Sequence, residues 1–418
     1  MSTVSTSTTA RNESGVGIAA RSGVTRRRIE SIDVLRGLVM VIMALDHARD
    51  YFNGAAYLYD PLDLKQTTPF LFFTRWITHF CAPIFMFLAG MSAYLYGQKN
   101  GRKALSFFLL TRGLWLILLE MFIVTPGWLF NFHFTAYILQ VIWAFGVSMI
   151  VLSALVYLNR TSILLLALVL IAGHNLLDDL DGAQAAGNGL SALFWSFLHV
   201  QKPFTYGSFL VFMGYPILPW IGLIAVGYYL GSQYGSGVTP ATRKKNFTRL
   251  GWLLVGLFIL IRLANIYGDP YRWSVQRNTV YTILSFLNVT KYPPSLLYVL
   301  MTIGPALLFL AYAEKPLNAV TGKLVIFGRV PMFYYLLHIY IFHALAVVAA
   351  MIDGHPASDM VSLGTWVTAN AQLKGYGFNL WVVYGVWIAV VVALYPLCKW
   401  FAGYKRDHQA EKKWLSYL

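Results

Sequence analysis

The residues best suited to chemistry sit in one short stretch, SIDVLRGLVMVIMALDHARDYF, at positions 31–52. Asp33 and Arg36 lie near its start, Asp46, His47, Arg49 and Asp50 near its end, and Gly37 to Leu45 is wholly apolar. A neutral imidazole beside a carboxylate can accept and return a proton near neutral pH, which makes His47 the candidate general base. Asp50 or Asp46 would orient its ring. Arg36 and His47 are separated by ten residues. At about 100° per residue such an i, i+11 pair falls within roughly 20° of one helix face and about 16 Å apart along the axis. Asp33, Met40, Met43 and Asp50 fall on or beside the same stripe. Ser31 reads as an N-cap, and Asp33 suits the positive end of the helix dipole. The plainer reading makes Arg36 and Asp33 interfacial anchors and His47 a structural histidine bonded to Asp50.

Composition says what surrounds this helix. Hydrophobic residues make up 58% of the 418 and charged residues only 12%, which excludes an ordinary soluble domain. Apolar runs of about 20 residues recur, each long enough to cross a bilayer. The chain therefore reads as an all-α, polytopic transmembrane bundle, in which an ionisable group is costly unless it faces a cavity or a partner. The net charge of +15 suits cytoplasmic loops facing anionic lipid, so nucleic acid is a poor candidate partner. Cys81 and Cys398 both fall in apolar segments, which argues against a disulfide framework or a zinc site. Residues 1–30 are Ser/Thr-rich and then basic, and read as a disordered cytoplasmic tail. Residues 31–403 form the membrane domain and 404–418 a charged cytoplasmic tail.

About ten spans are expected, near 31–52, 69–97, 104–124, 135–157, 161–177, 207–232, 250–267, 294–313, 323–351 and 379–402. Gly90, Ser92 and Ala93 allow a close helix approach in the second span. Two prolines predict a break in the sixth. The Lys and Arg residues of QKNGRK, Arg160, the 243–245 cluster, Lys315, Lys323 and the C-terminal stretch fall on one side; Asp60, Asp63, Asp178, Asp179, Asp181, Asp353 and Asp359 fall on the other. The positive-inside rule then puts both termini in the cytoplasm. The loop at 269–293 resists this scheme, since it carries Arg272, Arg277 and Lys291 outside.

The Arg36–ten residues–His47 pattern resembles the signature of type 3 membrane acyltransferases. With SIDVLRGLVMVIM, APIFMFLAGMSAYL, YILQVIWAFG and GRVPMFYYLLHIYIF, the larger pattern resembles the heparan-alpha-glucosaminide N-acetyltransferase relatives of the transmembrane acyltransferase superfamily. These segments spread from about residue 31 to 400, and their order and spacing carry the likeness. The resemblance implies acyl transfer, with acetyl-CoA as co-substrate and a sugar or glycan as acceptor, in a multi-pass cell-membrane protein of the bacterial inner-membrane type. Lysosomal members of that group carry their catalytic histidine in the first outer loop, whereas residues 53–68 here contain none. His47 is the matching candidate, with His79 as its alternate.

Thioester transfer also needs a donor for the developing oxyanion, and Arg75 or His79 could supply it. Arg36, Arg112 and Arg329, with Asp33, lie at the cytoplasmic end, where a nucleotide's phosphates need fixed cations. Arg112 and Arg329 serve equally well as positive-inside anchors. His338, mid-span, is either a core histidine or a second site residue beside Arg75. No glycine-rich phosphate loop and no metal-ligand cluster is apparent, so no metal is expected. The expected partners are the acyl-CoA donor, the acceptor, membrane lipid and, as an open option, a second copy in a homodimer. The rival class is a proton-coupled transporter or flippase of a polar solute, which predicts internally repeated halves that the sequence lacks. A non-catalytic scaffold leaves the charges of the first helix unexplained.

Overall fold

The computed structural model of the protein describes residues 29–361 and 366–417; the basic N-terminal stretch lies, through residue 28, outside the described residues. The chain is mostly helical. Helix α1 (Glu30–Phe52) is followed by α2 (Pro69–Trp76), α3 (Cys81–Asn100), α4 (Arg102–Leu119), α5 (Thr125–Leu129) and α6 (Val141–Leu155). Next come α7 (Arg160–Gly173), the short α8 (Asp181–Gln184), α9 (Leu190–Leu198), α10 (Leu218–Leu230) and α11 (Pro240–Ala264). The last are α12 (Thr279–Leu287), α13 (Leu296–Tyr312), α14 (Ala319–Arg329), α15 (Pro331–Ile352) and α16 (Leu380–His408).

Among the described residues, six helical stretches are long and apolar enough to cross a membrane: Pro69–Asn100, Arg102–Leu129, Arg160–Gln184, Pro240–Ala264, Pro331–Ile352 and Leu380–His408. Helices α6 and α13 are apolar but shorter. Helix α1 is set apart by its charges. Ser31 is not its cap: the helix begins one residue earlier, and Ser31 Oγ meets Tyr234 Oη at 3.3 Å. The ninth expected span is two helices, because Pro331 cannot continue the hydrogen-bond ladder of α14. Helix α16 runs to His408, past the expected end of the membrane domain.

The all-α expectation needs one correction. Strands β1 (Ala136–Leu139), β2 (Lys202–Tyr206) and β3 (Phe209–Met213) form a small sheet in the order β1–β3–β2. β2 and β3 are an antiparallel hairpin closed by Gly207 and Ser208, with Gly207 at φ 61°, and β1 joins β3 in parallel. Aromatic and β-branched residues favour such strands, and a two-residue hairpin turn needs the positive φ that glycine supplies. The fourth and sixth expected spans are therefore strand-then-helix units. The predicted break in the sixth falls at Pro216 and Pro219, where the sheet hands over to α10.

Helix α1 runs through the middle and touches α3, α14, α15 and α16. Its approach to α14 is very close. A Cβ added at Gly37 would lie 1.8 Å from the Leu324 carbonyl oxygen, and one at Gly328 would lie 2.0 Å from that of Asp33. The expected close approach at Gly90 is present, against α10. Side-chain bonds tie α1 down further: Cys81 Sγ reaches the Val39 carbonyl at 3.4 Å, and Trp387 Nε1 donates to that of Val41 at 2.8 Å. The loops meet in two groups. Arg243 pairs with Glu314 at 2.5 Å, Arg160 donates to the Tyr229 carbonyl, and Tyr417 reaches Thr111. In the other group Tyr281 donates to the Thr67 carbonyl, Asn288 to that of Leu62, and Leu296 N to Asn175 Oδ1.

Candidate active site

His47 sits one turn before the end of α1, buried to 8% exposure. Its Nδ1 lies 2.6 Å from His338 Nε2 on α15, and the two rings are nearly coplanar, 8° apart. The direction of the proton follows from the next contact. His338 Nδ1 is 2.8 Å from the Tyr334 carbonyl, which can only accept, so that nitrogen carries a hydrogen. In a neutral ring His338 Nε2 is then bare and takes the hydrogen of His47 Nδ1. The lone pair of the pair of rings is left on His47 Nε2, which makes no hydrogen bond among the described residues. Trp128 holds the ring edge-on at 4.6 Å between centroids. His338 thus does the orienting that the sequence assigned to Asp46 or Asp50.

The carboxylates are committed elsewhere. Asp46 receives Arg75 Nη1 at 2.7 Å on both oxygens, Thr78 Oγ1 at 2.8 Å and Arg49 Nη2 at 2.9 Å. Asp50 takes Arg49 Nη2 at 2.5 Å. Arg75 thereby spends one nitrogen on Asp46 and leaves Nη2 and Nε without a hydrogen bond among the described residues. Arg49, 2% exposed, has buried Nε and Nη1 groups with no hydrogen-bond partner among the described residues. Two unsatisfied charged donors in a dry interior are costly, and a polar occupant beside them would relieve that cost.

His79 is near the same group but enclosed, fully buried with neither ring nitrogen hydrogen-bonded among the described residues. Its carbonyl accepts from the Tyr298 hydroxyl at 2.6 Å, and its ring packs against that of Tyr298 at 5.5 Å between centroids. Lys291, 8% exposed, comes from the 269–293 loop to within electrostatic reach of Asp46, His47 and His79. Tyr292 beside it meets Tyr215 at 3.4 Å between hydroxyls. Burial raises the Tyr292 phenol, but Lys291 and Arg75 outweigh it and hold its pKa below the ordinary value. Arg49, Lys291, Tyr292 and the His338 pairing were not assigned these places from sequence. The one signal was the basic loop that fitted the charge scheme badly. Arg277 from that loop stacks over Tyr281 at 3.6 Å. The loop is also held by buried Arg262, which donates to the carbonyls of Tyr271, Ser285, Phe286 and Asn288.

The four residues expected to serve a nucleotide converge at the other end of α1. Arg36 Nη1 donates to Asp33 Oδ1 at 2.9 Å and to the Gly328 carbonyl at 3.0 Å, while Nη2 reaches Ser92 Oγ at 3.1 Å. Arg329 Nε lies 4.0 Å from Asp33 Oδ2, with its side chain 34% exposed. Arg112 is within electrostatic reach of Arg36 and of Tyr417. Arg36 is thus a three-way tie between α1, α3 and α14, and Arg329 is more exposed than Arg36 or Asp33. Beside them a cavity is lined by Val34, Phe309, Tyr312, Lys315, Asn318 and Thr321, among others. His47 does not line it.

These two poles, a histidine pair with spare lone pair and an arginine cluster, stand about three helical turns apart on α1. No curated protein sequence matches the chain. Residues 28–261, more than half of it, match the profile of a catalytic domain; the match takes in α1 to most of α11 and stops short of His338. On that match, the chain belongs to the family of the heparan-alpha-glucosaminide N-acetyltransferase catalytic domain.

Proposed function

We propose that the protein is an integral-membrane acyltransferase that moves an acetyl group from cytoplasmic acetyl-CoA to a sugar or glycan hydroxyl or amine at the opposite face. The observation that carries this reading is the His47–His338 pair, which leaves His47 Nε2 bare of any hydrogen bond among the described residues. His47 Nε2 takes the proton of the acceptor as its oxygen or nitrogen attacks the thioester carbonyl. His338 holds the ring, and Asp46 stands near to balance the imidazolium. Arg75, held on Asp46 by Nη1, can hold the developing oxyanion with its remaining N–H groups. The proton then passes from His47 to the departing thiolate. Arg36 and Arg112, with the more exposed Arg329, hold the donor's phosphates at the far end, Asp33 fixing Arg36. A pantetheine arm is of comparable reach to the distance between the poles.

The topology belongs to the same proposal. About ten spans with both termini cytoplasmic fit the two groups of loops, since Arg160, Arg243, Glu314 and Tyr417 gather with one set and Asn175, Thr67 and Tyr281 with the other. The host is a cell membrane of the bacterial inner-membrane type, with lipid as a partner.

The test is transfer from acetyl-CoA by purified protein across a sugar panel. Loss of a general base costs about 10²–10⁴-fold in rate, so His47→Ala should fold, bind coenzyme A and turn over at least about a hundredfold more slowly. His79→Ala should lose less. Arg36→Lys keeps the charge but not the fork, and its affinity for coenzyme A should fall. Near-normal turnover by His47→Ala with a dead His79→Ala would move the base to the second span. Activity in both would remove this mechanism, and solute flux in proteoliposomes would then test the transporter reading.

A further inference from the structure

A second constellation lies away from His47, where the turn after α7 meets the end of α9. His174, Asp178 and His199 each offer one ligand atom, and these atoms all lie within 4.8 Å of one another. His174 Nδ1 is 3.2 Å from His199 Nε2, and the latter is 3.7 Å from Asp178 Oδ1. For metal bonds of about 2.0–2.1 Å in tetrahedral array, neighbouring ligand atoms stand roughly 3.3 Å apart, close to the 3.2 and 3.7 Å separations around His199 Nε2. Both histidines are buried, His174 at 3% and His199 at 0% exposure.

The surroundings are also those of a ligating histidine. Asp181 Oδ1 lies 2.8 Å from His199 Nδ1 and accepts from Trp195 Nε1 at 2.7 Å, which fixes that carboxylate in place. With Asp181 holding a hydrogen on Nδ1, Nε2 can release the one it gives to the His174 carbonyl, and an incoming ion would take that place beside His174 and Asp178. Asn175 Nδ2 donates to Asp178 Oδ2 at 3.0 Å and leaves Oδ1 for another partner. The His174 carbonyl, 2.9 Å from His199 Nε2, is a further oxygen at the same point. Two imidazoles with one carboxylate suit borderline divalent ions of the zinc class rather than magnesium or calcium.

We infer that His174, Asp178 and His199 form a structural binding site for one divalent ion of the zinc class, with Asp181 orienting His199. The ion pins the end of α7 to α9, and water or the His174 carbonyl takes its fourth position. Sequence spacing concealed the site, because His199 lies 21 residues beyond Asp178 and joins it only through the fold.

The test uses the full chain, purified in detergent and stripped with chelator, with Zn²⁺ and Co²⁺ as probes. One Zn²⁺ per chain should bind by calorimetry and raise the melting temperature with concentration. Co²⁺ should give the intense visible bands of a four-coordinate site. His174→Gln and His199→Gln should abolish binding, and Asp181→Asn should weaken it about 10–100-fold. If the parent binds Zn²⁺ no better than these variants, the cluster is instead a metal-free His199 imidazolium between Asp181 and the His174 carbonyl, and the inference falls. Should the variants not fold, the parent decides alone: weak, octahedral-type Co²⁺ absorption overturns the site. Acetyl transfer is not the readout, so failure here leaves the acyltransferase proposal standing.

Discussion

His47 and Arg49 stand two residues apart on α1, yet one has a well-defined partner and the other lacks two. The first arrangement fixes the His47 ring; the second leaves two charged N–H groups buried without a partner among the described residues. Tyr292 offers a direct check on the charges around them. Lys291 and Arg75 favour its phenolate against the effect of burial. Alkaline titration followed by tyrosinate absorbance should therefore show one tyrosine ionising ahead of the bulk transition near about pH 10. In Lys291→Met a cation that stabilises the phenolate is gone, so that early component should move to higher pH. An unchanged titration would place the Lys291 ammonium too far from the ring to belong to this network. His47, Asp46 and Arg75 were legible in the sequence as costly groups in lipid, but who holds whom was not. Nothing in spacing tells His47 to choose His338, 291 positions away, over Asp50 three positions away.

At the scale of the element, α1 is fixed by how closely α14 comes to it. Gly37 and Gly328 meet backbone carbonyls across the interface, where a methyl group has no room. Gly37→Ala or Gly328→Ala should push the helices apart and cost about 1–3 kcal/mol, read as a lower melting temperature in detergent. Because Gly328 also accepts from Arg36 through its carbonyl, Gly328→Ala should weaken coenzyme A binding as well. A variant as stable as the parent would mean that the two helices are not in this contact. Glu120 illustrates the same coupling of position to partner. It lies fully buried in a π-helical turn after α4 and accepts from Trp143 N at 2.9 Å, at the start of α6. A carboxyl oxygen there accepts from an N–H group that the first turn of that helix leaves open.

For the whole molecule, orientation in the membrane decides whether the two poles face opposite compartments. Cys81 and Cys398 are buried, so single cysteines introduced elsewhere can be read against a low background. Cysteines placed in residues 178–206 should react with an impermeant reagent on intact cells, and those in 234–247 should not. Labelling of the second loop from outside would invert the topology and send the site geometry with it. By itself the sequence determined the class of the protein, because lipid imposes long apolar helices whose ends are set by charge and proline. It also determined that the first helix is special, because six ionisable groups in one membrane segment require partners or a cavity. Only the tertiary structure decided which partners those are: His338 for His47, Arg75 from the second span for Asp46, Lys291 from a loop, and a sheet where two helices were expected. Those choices depend on contacts between residues far apart in the chain, and helix periodicity carries no information across such distances.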